Sequence, residues 1–433
     1  MKKIFYISLF AFAMFAFQAE AQPSDPPAKA QAETISITGI TAHIGNGTVI
    51  PNATLVFEKG KITQSGTNVS PTGRVIDAKG KHVYPGFISA NSTLGLVEID
   101  AVRATDDEDE IGLITPNVRS LIAYNAESRV VESMRPNGLL IAQVAPRGGL
   151  ITGTSSIMQL DAWNWEDAAY KIDDGVHANW PALFRRTRFG FGGGGGSEPN
   201  KEYDNEVAKL KDFLTQAKAY NAGKQEVENL ILKATKGLFD GSQSFFVNAN
   251  YEKQIIDAIL LAKELGIAKV VVIGGRESYK IAGFLKENNV AVLVSRPHSL
   301  PSSKEEDVYM PYKLAGLLVH EGVLTGIENS GQMERMQTRN LPFYAGTFAA
   351  FGLEKEEAVK LITLNAAKIL GIDQSLGTLE VGKDATLFVS DGDALDMRTN
   401  KISHAFIQGR DISLNSYQKD LYLRYKEKYE SQK

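Results

Sequence analysis

The sequence predicts an α/β protein: a (β/α)8, TIM-like barrel joined to a composite β-sandwich built from both chain ends. Three observations carry this. Between residues 85 and 371, short Val/Ile/Leu runs alternate with amphipathic stretches. Residues 34–84 hold short strands of alternating polarity separated by turn residues. Residues 372–415 hold a second such set, and neither set is long enough to bury a core alone.

The chain of 433 residues opens with Lys2 and Lys3, then an almost wholly apolar run from Ile4 to Phe17. Ala19-Glu20-Ala21 follows as a small-x-small site. This is the pattern of a secretory signal peptide over residues 1–21. The apolar run is shorter than a membrane span requires. The expected location is periplasmic or secreted, with no membrane span once the signal is removed. Residues 22–33, rich in Pro, Ala and Gln, read as a flexible leader.

In the first β unit, Ile35–Ile40, Thr54–Phe57, Lys61–Thr63 and Arg74–Asp77 read as a small antiparallel set. Its partner runs from Gly377 through Val389 and from Ile402 to Gly409. In the barrel region, Leu139–Val144, Ser244–Asn248, Lys269–Ile273, Val290–Val294 and Val323–Ile327 read as buried strands. The stretches Lys253–Leu265, Ser278–Asn288 and Tyr312–His320 read as helices. Near-continuous apolar strands between helices imply a parallel sheet covered on both faces. An open doubly wound sheet is the alternative, but no phosphate-binding glycine fingerprint follows the first strand. Residues 416–433 read as a C-terminal helix.

Net charge is −4, from 47 basic and 51 acidic residues. Without Lys2, Lys3 and Glu20 it is 45 against 50, or −5. No basic cluster is interleaved with aromatics, so nucleic acid is not an expected partner. The absence of cysteine excludes disulfides and thiolate metal sites. The run Asp106–Glu110 reads as a solvated loop, with a cation site as its sharper alternative. Residues 185–200 carry Gly192–Gly196 and read as a flexible loop, either a lid over the barrel mouth or a tolerated insertion.

The segment Val83-Tyr84-Pro85-Gly86-Phe87-Ile88-Ser89-Ala90-Asn91-Ser92-Thr93 resembles the barrel entry of the amidohydrolase superfamily, P-G-hydrophobic-hydrophobic-D-x-H-x-H. Leu364–Gly371 and Gly377–Asp384 resemble that superfamily's T-x-N-x-A-x-x-L-G and G-x-I/L-x-x-G-x-x-A-D segments. Together they place the chain nearest the imidazolonepropionase-like branch. The resemblance implies hydrolysis of C–N bonds and a zinc or other divalent metal at the C-terminal strand ends. The metal lowers the pKa of a bound water and polarises the scissile carbonyl.

Carried over residue by residue, the resemblance puts Asn91 and Thr93 at the two strand-1 histidines and Asn248 at the strand-5 histidine. Strand 6 ends at Ile273-Gly274-Gly275 without a histidine. Asn329 or Ser330 takes the strand-8 aspartate position, with Glu328 the nearest acid. Lys171 is the candidate for the strand-4 lysine. An amide or hydroxyl is a far poorer zinc ligand than imidazole, so no metal ligand and no cofactor is expected. The expectation is a polar pocket of Asn91, Thr93, Asn248, Arg276, Asn329 and Ser330, with Glu328 and His298 as acid–base candidates facing each other across the mouth. His177, after Asp173-Asp174-Gly175, reads as a loop residue. His43 and His404 fall in the β unit, His82 precedes the barrel, and His320 sits on a surface helix.

Two functional readings follow. The first is a non-catalytic barrel that binds a small-molecule ligand, or forms a homo- or hetero-oligomer with an amidohydrolase paralogue. The second is a hydrolase of amide, peptide or cyclic-imide C–N bonds with a modified site.

Overall fold

The computed structural model describes residues 25–186, 197–224, 227–301, 303, 305–330 and 334–431. Residues 1–21, expected to be a signal peptide, and the run Gly192–Gly196 lie outside the described residues.

Strands from both chain ends interleave in one eight-stranded sheet. The N-terminal part contributes β1 (Ile35–His43), β2 (Val49–Glu58), β3 (Lys61–Gly66), β4 (Arg74–Asp77) and β5 (His82–Pro85). The C-terminal part contributes β16 (Leu387–Ser390), β17 (Ile402–Ile407) and β18 (Arg410–Asp411). The spatial order is β18-β17-β16-β5-β1-β2-β3, with β4 paired to β1. This is one mixed sheet and not an antiparallel unit, because β4 and β5 both run parallel to β1. Its core draws on both ends at once: Ile37, Leu55, Phe57 and Val83 pack with Leu387, Val389 and Phe406. The Phe57 and Phe406 rings meet edge to face at 5.0 Å.

The second sheet is the barrel. Its strands are β6 (Phe87–Ser92), β7 (Leu139–Val144), β8 (Ile151–Gln159), β9 (Ala169–Asn179), β12 (Ser244–Ala249), β13 (Val270–Gly274), β14 (Ala291–Val294) and β15 (Thr325–Ile327). A parallel bridge from Ala90 to Glu328 joins the last strand to the first, so the sheet nearly closes. The α/β, TIM-like barrel with a β-rich terminal domain is therefore the architecture. One strand departs from the all-parallel expectation. β8 is antiparallel to both β7 and β9.

Inside the barrel, Ile88, Ala90, Ile141, Ile157, Phe246, Val271, Ile273 and Leu293 fill one cluster with the helix Leu364–Leu370. The alternate residues, such as Leu140, Val247, Val272 and Val292, join the outer core under the helices. This two-faced burial explains why the strands read as continuous apolar runs.

The leader is pinned where it is described. Ala28 N donates to Asp161 Oδ2 at 3.0 Å, and Arg410 donates to Ala28 O at 3.1 Å. Gln31 bridges the Phe57 carbonyl and the Gly60 amide. Flexibility was expected from its composition, but tertiary hydrogen bonds offset the ordering entropy. The flanks of the glycine run likewise pair, as β10 (Phe184–Arg186) against β11 (Ser197–Pro199).

Candidate functional site

Active sites of this fold lie at the C-terminal strand ends. Here that end carries a buried polar network. Asn91, next to last in β6, has φ 48, a left-handed conformation that asparagine tolerates better than most residues. Its backbone N–H donates to Gln143 Oε1 at 3.0 Å. Its side-chain nitrogen donates to Glu328 Oε2 at 3.2 Å, while Ser295 Oγ donates to Glu328 Oε1 at 2.6 Å. Arg147, just past β7, donates to Asn91 Oδ1 at 3.0 Å and to the Asn91 carbonyl at 2.8 Å. Asn91 is 3% exposed and Glu328 2%.

The network continues inward. Gln143 Nε2 donates to Asp174 Oδ2 at 2.7 Å, and Ser155 Oγ donates to Asp174 Oδ1 at 2.8 Å. Asp174 follows Asp173, whose φ of 52 marks a bulge in β9 opposite Ser156. Burial pushes the Asp174 carboxyl up to about 6, against the opposing pull of Ser155, Lys171 and Gln143. His177 also belongs to this interior. Its ring stacks on Phe246 at 4.6 Å, its Nε2 is buried with no partner among the described residues, and burial drives its pKa well below the ordinary value.

Above Asn91, Thr93 is buried and its Oγ1 accepts from Arg335 at 3.4 Å. Arg335 is 4% exposed at its side chain and pairs with Asp100 and, at 3.3 Å, with Glu108. Asn329 is buried and donates to Thr338 Oγ1 at 2.6 Å. Ser330 is half-buried beside it. Asn248 is exposed and donates to Asn179 Oδ1 at 3.3 Å.

Several expectations need correction. Asn91, Thr93, Glu328 and Asn329 are brought together, but as a buried network and not as the walls of an open pocket. His298 does not face Glu328. It packs edge-on against Tyr312 and Tyr344 and shares a 3.2 Å hydrogen bond with Thr347, all on the outer helices Met310–His320 and Leu341–Ala350. Arg276 lines a cleft with Ser295, Arg296 and Glu306, and Ser295 joins that cleft to the network through Glu328. Lys171 sits near the start of β9, and its Nζ donates to the Leu370 carbonyl at the opposite end of the barrel. His177 is a buried strand residue, not a loop residue. The acidic run is neither simply solvated nor a cation cage, since Glu108 folds onto Arg335.

Sequence reasoning missed Gln143, Arg147, Asp174, Ser295 and Arg335. Gln143 carried a signal: one amide inside the apolar strand Leu139–Val144 must find buried partners. Arg147, three residues past that strand, carried the same kind of signal at the mouth.

The residues present do not fit the zinc that the resemblance implies. Zinc takes imidazole, thiolate or carboxylate donors, usually four. Among the described residues Glu328 is the one carboxylate hydrogen-bonded to Asn91, and both its oxygens already accept hydrogen bonds. The Asn91 side-chain oxygen is taken by a guanidinium, whose charge opposes a divalent cation. Among the described residues no group of three or more His, Asp or Glu side chains is placed to hold a metal.

Fold and site together define an α/β-barrel protein with a β-rich terminal domain and a polar network at the strand ends. The chain is similar to amidohydrolase-family proteins, and the imidazolonepropionase-like branch fits it. The amidohydrolase family model matches residues 247–413. A 5'-deoxyadenosine deaminase of Methanobrevibacter smithii is 23% identical over 380 residues, covering 79% of this chain and 80% of that protein. An amidohydrolase structure from Thermotoga maritima superposes with a TM-score of 0.74 at 22% identity, covering 87% of this chain and 99% of that one. An adenosine deaminase from Xanthomonas campestris with bound zinc gives a TM-score of 0.51 at 13% identity, covering 89% and 93%. At these identities the structural likeness speaks for the fold.

Proposed function

We propose that this is an exported, ligand-binding member of the amidohydrolase family in which a guanidinium stands in for the catalytic metal. One observation carries the reading: Arg147 holds both oxygens of Asn91, the residue at the first strand-1 ligand position. Asn91 in turn holds Glu328, the acid nearest the strand-8 position. A cation is thus supplied covalently, and the donors that remain are amides and hydroxyls. The role is binding, alone or beside an active paralogue. Export rests on the Lys2–Ala21 pattern, and cell fractionation tests it.

The second reading keeps C–N hydrolysis, as in the deaminase and amidohydrolase relatives. The orientation of Glu328 by Ser295 and Asn91 favours it, since a held carboxylate is what general acid–base work needs. The experiment is a turnover screen of the mature protein against amide, dipeptide, cyclic-imide and 5'-deoxyadenosine substrates. No turnover above background is expected. Turnover that Glu328→Gln abolishes would establish the hydrolase reading instead.

A further inference from the structure

The strap between β6 and the short helix Ser120–Ala123 has an unusual composition for a segment lying over a barrel mouth. From Glu98 to Thr115 none of its residues is buried. Ile99, Val102, Ile111 and Leu113 all stand exposed, Ile111 at 99%. Thr115 Oγ1 donates to the Ile151 carbonyl of β8 and Ile114 packs on the core, while two carboxylates, Asp100 and Glu108, both pair with Arg335. Glu108 also lies within the field of Arg147, which favours its charged form, although burial raises its pKa overall. The main chain is clipped alongside, with Arg147 N donating to Glu108 O at 2.6 Å.

The two partners differ in how firmly they are fixed. Arg335 is buried with Thr93 Oγ1 against it, and a buried cation needs an anion beside it. Asp100 and Glu108 are 44% and 29% exposed at their side chains. Water solvates either carboxylate once it leaves, so an incoming anion can exchange with it while the buried Arg335 stays paired. The anion site is therefore built, while its present occupants are exchangeable.

Resting on the ligand-binding reading above, we propose that Arg335, Arg147 and Thr93 form a site for the carboxylate of a small-molecule ligand, which the strap's Glu108 and Asp100 occupy in its absence. The strap is an internal competitor. A tethered group competes at an effective concentration of roughly millimolar, so the free ligand must displace it to bind.

The probe is succinate, titrated calorimetrically into the mature protein. Neutralising the strap with Asp100→Asn and Glu108→Gln together should tighten succinate binding at least tenfold. Adding Arg335→Gln should abolish that gain. Unchanged affinity in the double variant overturns the proposal, as does a gain that survives Arg335→Gln. If the double or triple variant does not fold, Thr93→Val in the Glu108→Gln single variant, which keeps Asp100 on Arg335, removes an oxygen and no charge. It should weaken succinate several-fold, and undiminished binding again overturns the site. Inorganic phosphate competing as well as succinate would contradict the carboxylate assignment. Zinc content and turnover on the same preparations test the metal-free reading separately, so the two failures are distinguishable.

Discussion

Arg147 grips Asn91 twice, once at the side-chain oxygen at 3.0 Å and once at the main-chain carbonyl at 2.8 Å. The fork geometry of guanidinium matches two adjacent acceptors, which an ammonium cannot do. That clamp fixes Asn91 in its left-handed conformation and so aims the Asn91 amide at Glu328.

Arg147→Met should therefore cost more than a surface substitution. It leaves the Asn91 oxygens without these donors, and a buried unsatisfied acceptor costs about 1–3 kcal/mol. Urea unfolding should show a loss on the order of 2–4 kcal/mol, with Arg147→Lys falling between. An unchanged midpoint would mean that the clamp holds nothing.

Asp174 predicts a pH dependence. Its folded-state carboxyl is raised to about 6 from an ordinary 3.8. A raised carboxyl binds protons better folded than unfolded, so its contribution is fully present below about pH 4. It is lost as pH rises through about 6. The shift of about two units corresponds to about 3 kcal/mol. Thermal unfolding from pH 4 to 8 should show this loss, and Asp174→Asn should flatten that part of the profile. An identical slope in the variant would refute the assignment.

Asp161 joins three parts of the chain. Its carboxylate pairs with Arg135 at 2.9 Å and Arg410 at 2.8 Å, and accepts from the Ala28 amide. Removing it leaves two largely buried cations uncompensated, which costs about 3–5 kcal/mol. Asp161→Ala should lower stability by that order in a denaturant titration. It should also speed hydrogen exchange at residues 25–33.

Phe406 tests the composite sheet. It lies fully buried against Phe57 from the other chain end. Phe406→Ala should cost about 3–5 kcal/mol, and deletion of residues 375–433 should leave the strands of residues 35–85 unprotected from exchange. Persistent protection in the truncated chain would show that the N-terminal half folds without its partner.

The apolar barrel strands were legible because two-faced burial leaves unbroken Val/Ile/Leu runs, as at Leu139–Val144 and Val270–Gly274. The strand Ile151–Gln159 was not, since Thr152, Thr154, Ser155 and Ser156 break the apolar pattern. Their hydroxyls find partners only through tertiary contacts such as Ser155 with Asp174. Asp173-Asp174-Gly175 has the composition of a turn, yet it forms a bulge inside β9, and this hid both Asp174 and His177. Asn91, Thr93 and Glu328 were legible as mouth residues through the family motif. Arg147 and Arg335 were not, because pairing across distant segments leaves no local pattern. His298 misled because a residue just past a strand end can turn outward onto helices as easily as inward.

The central claim is that a guanidinium occupies the place of the metal. Its most direct test is elemental analysis of the mature protein, purified without chelator, dialysed, and then offered excess zinc. Well under one equivalent per chain should remain, both before and after zinc is offered and removed by dialysis. A full equivalent surviving dialysis, lost on Glu328→Gln, would contradict the account and restore a metal centre to the barrel mouth.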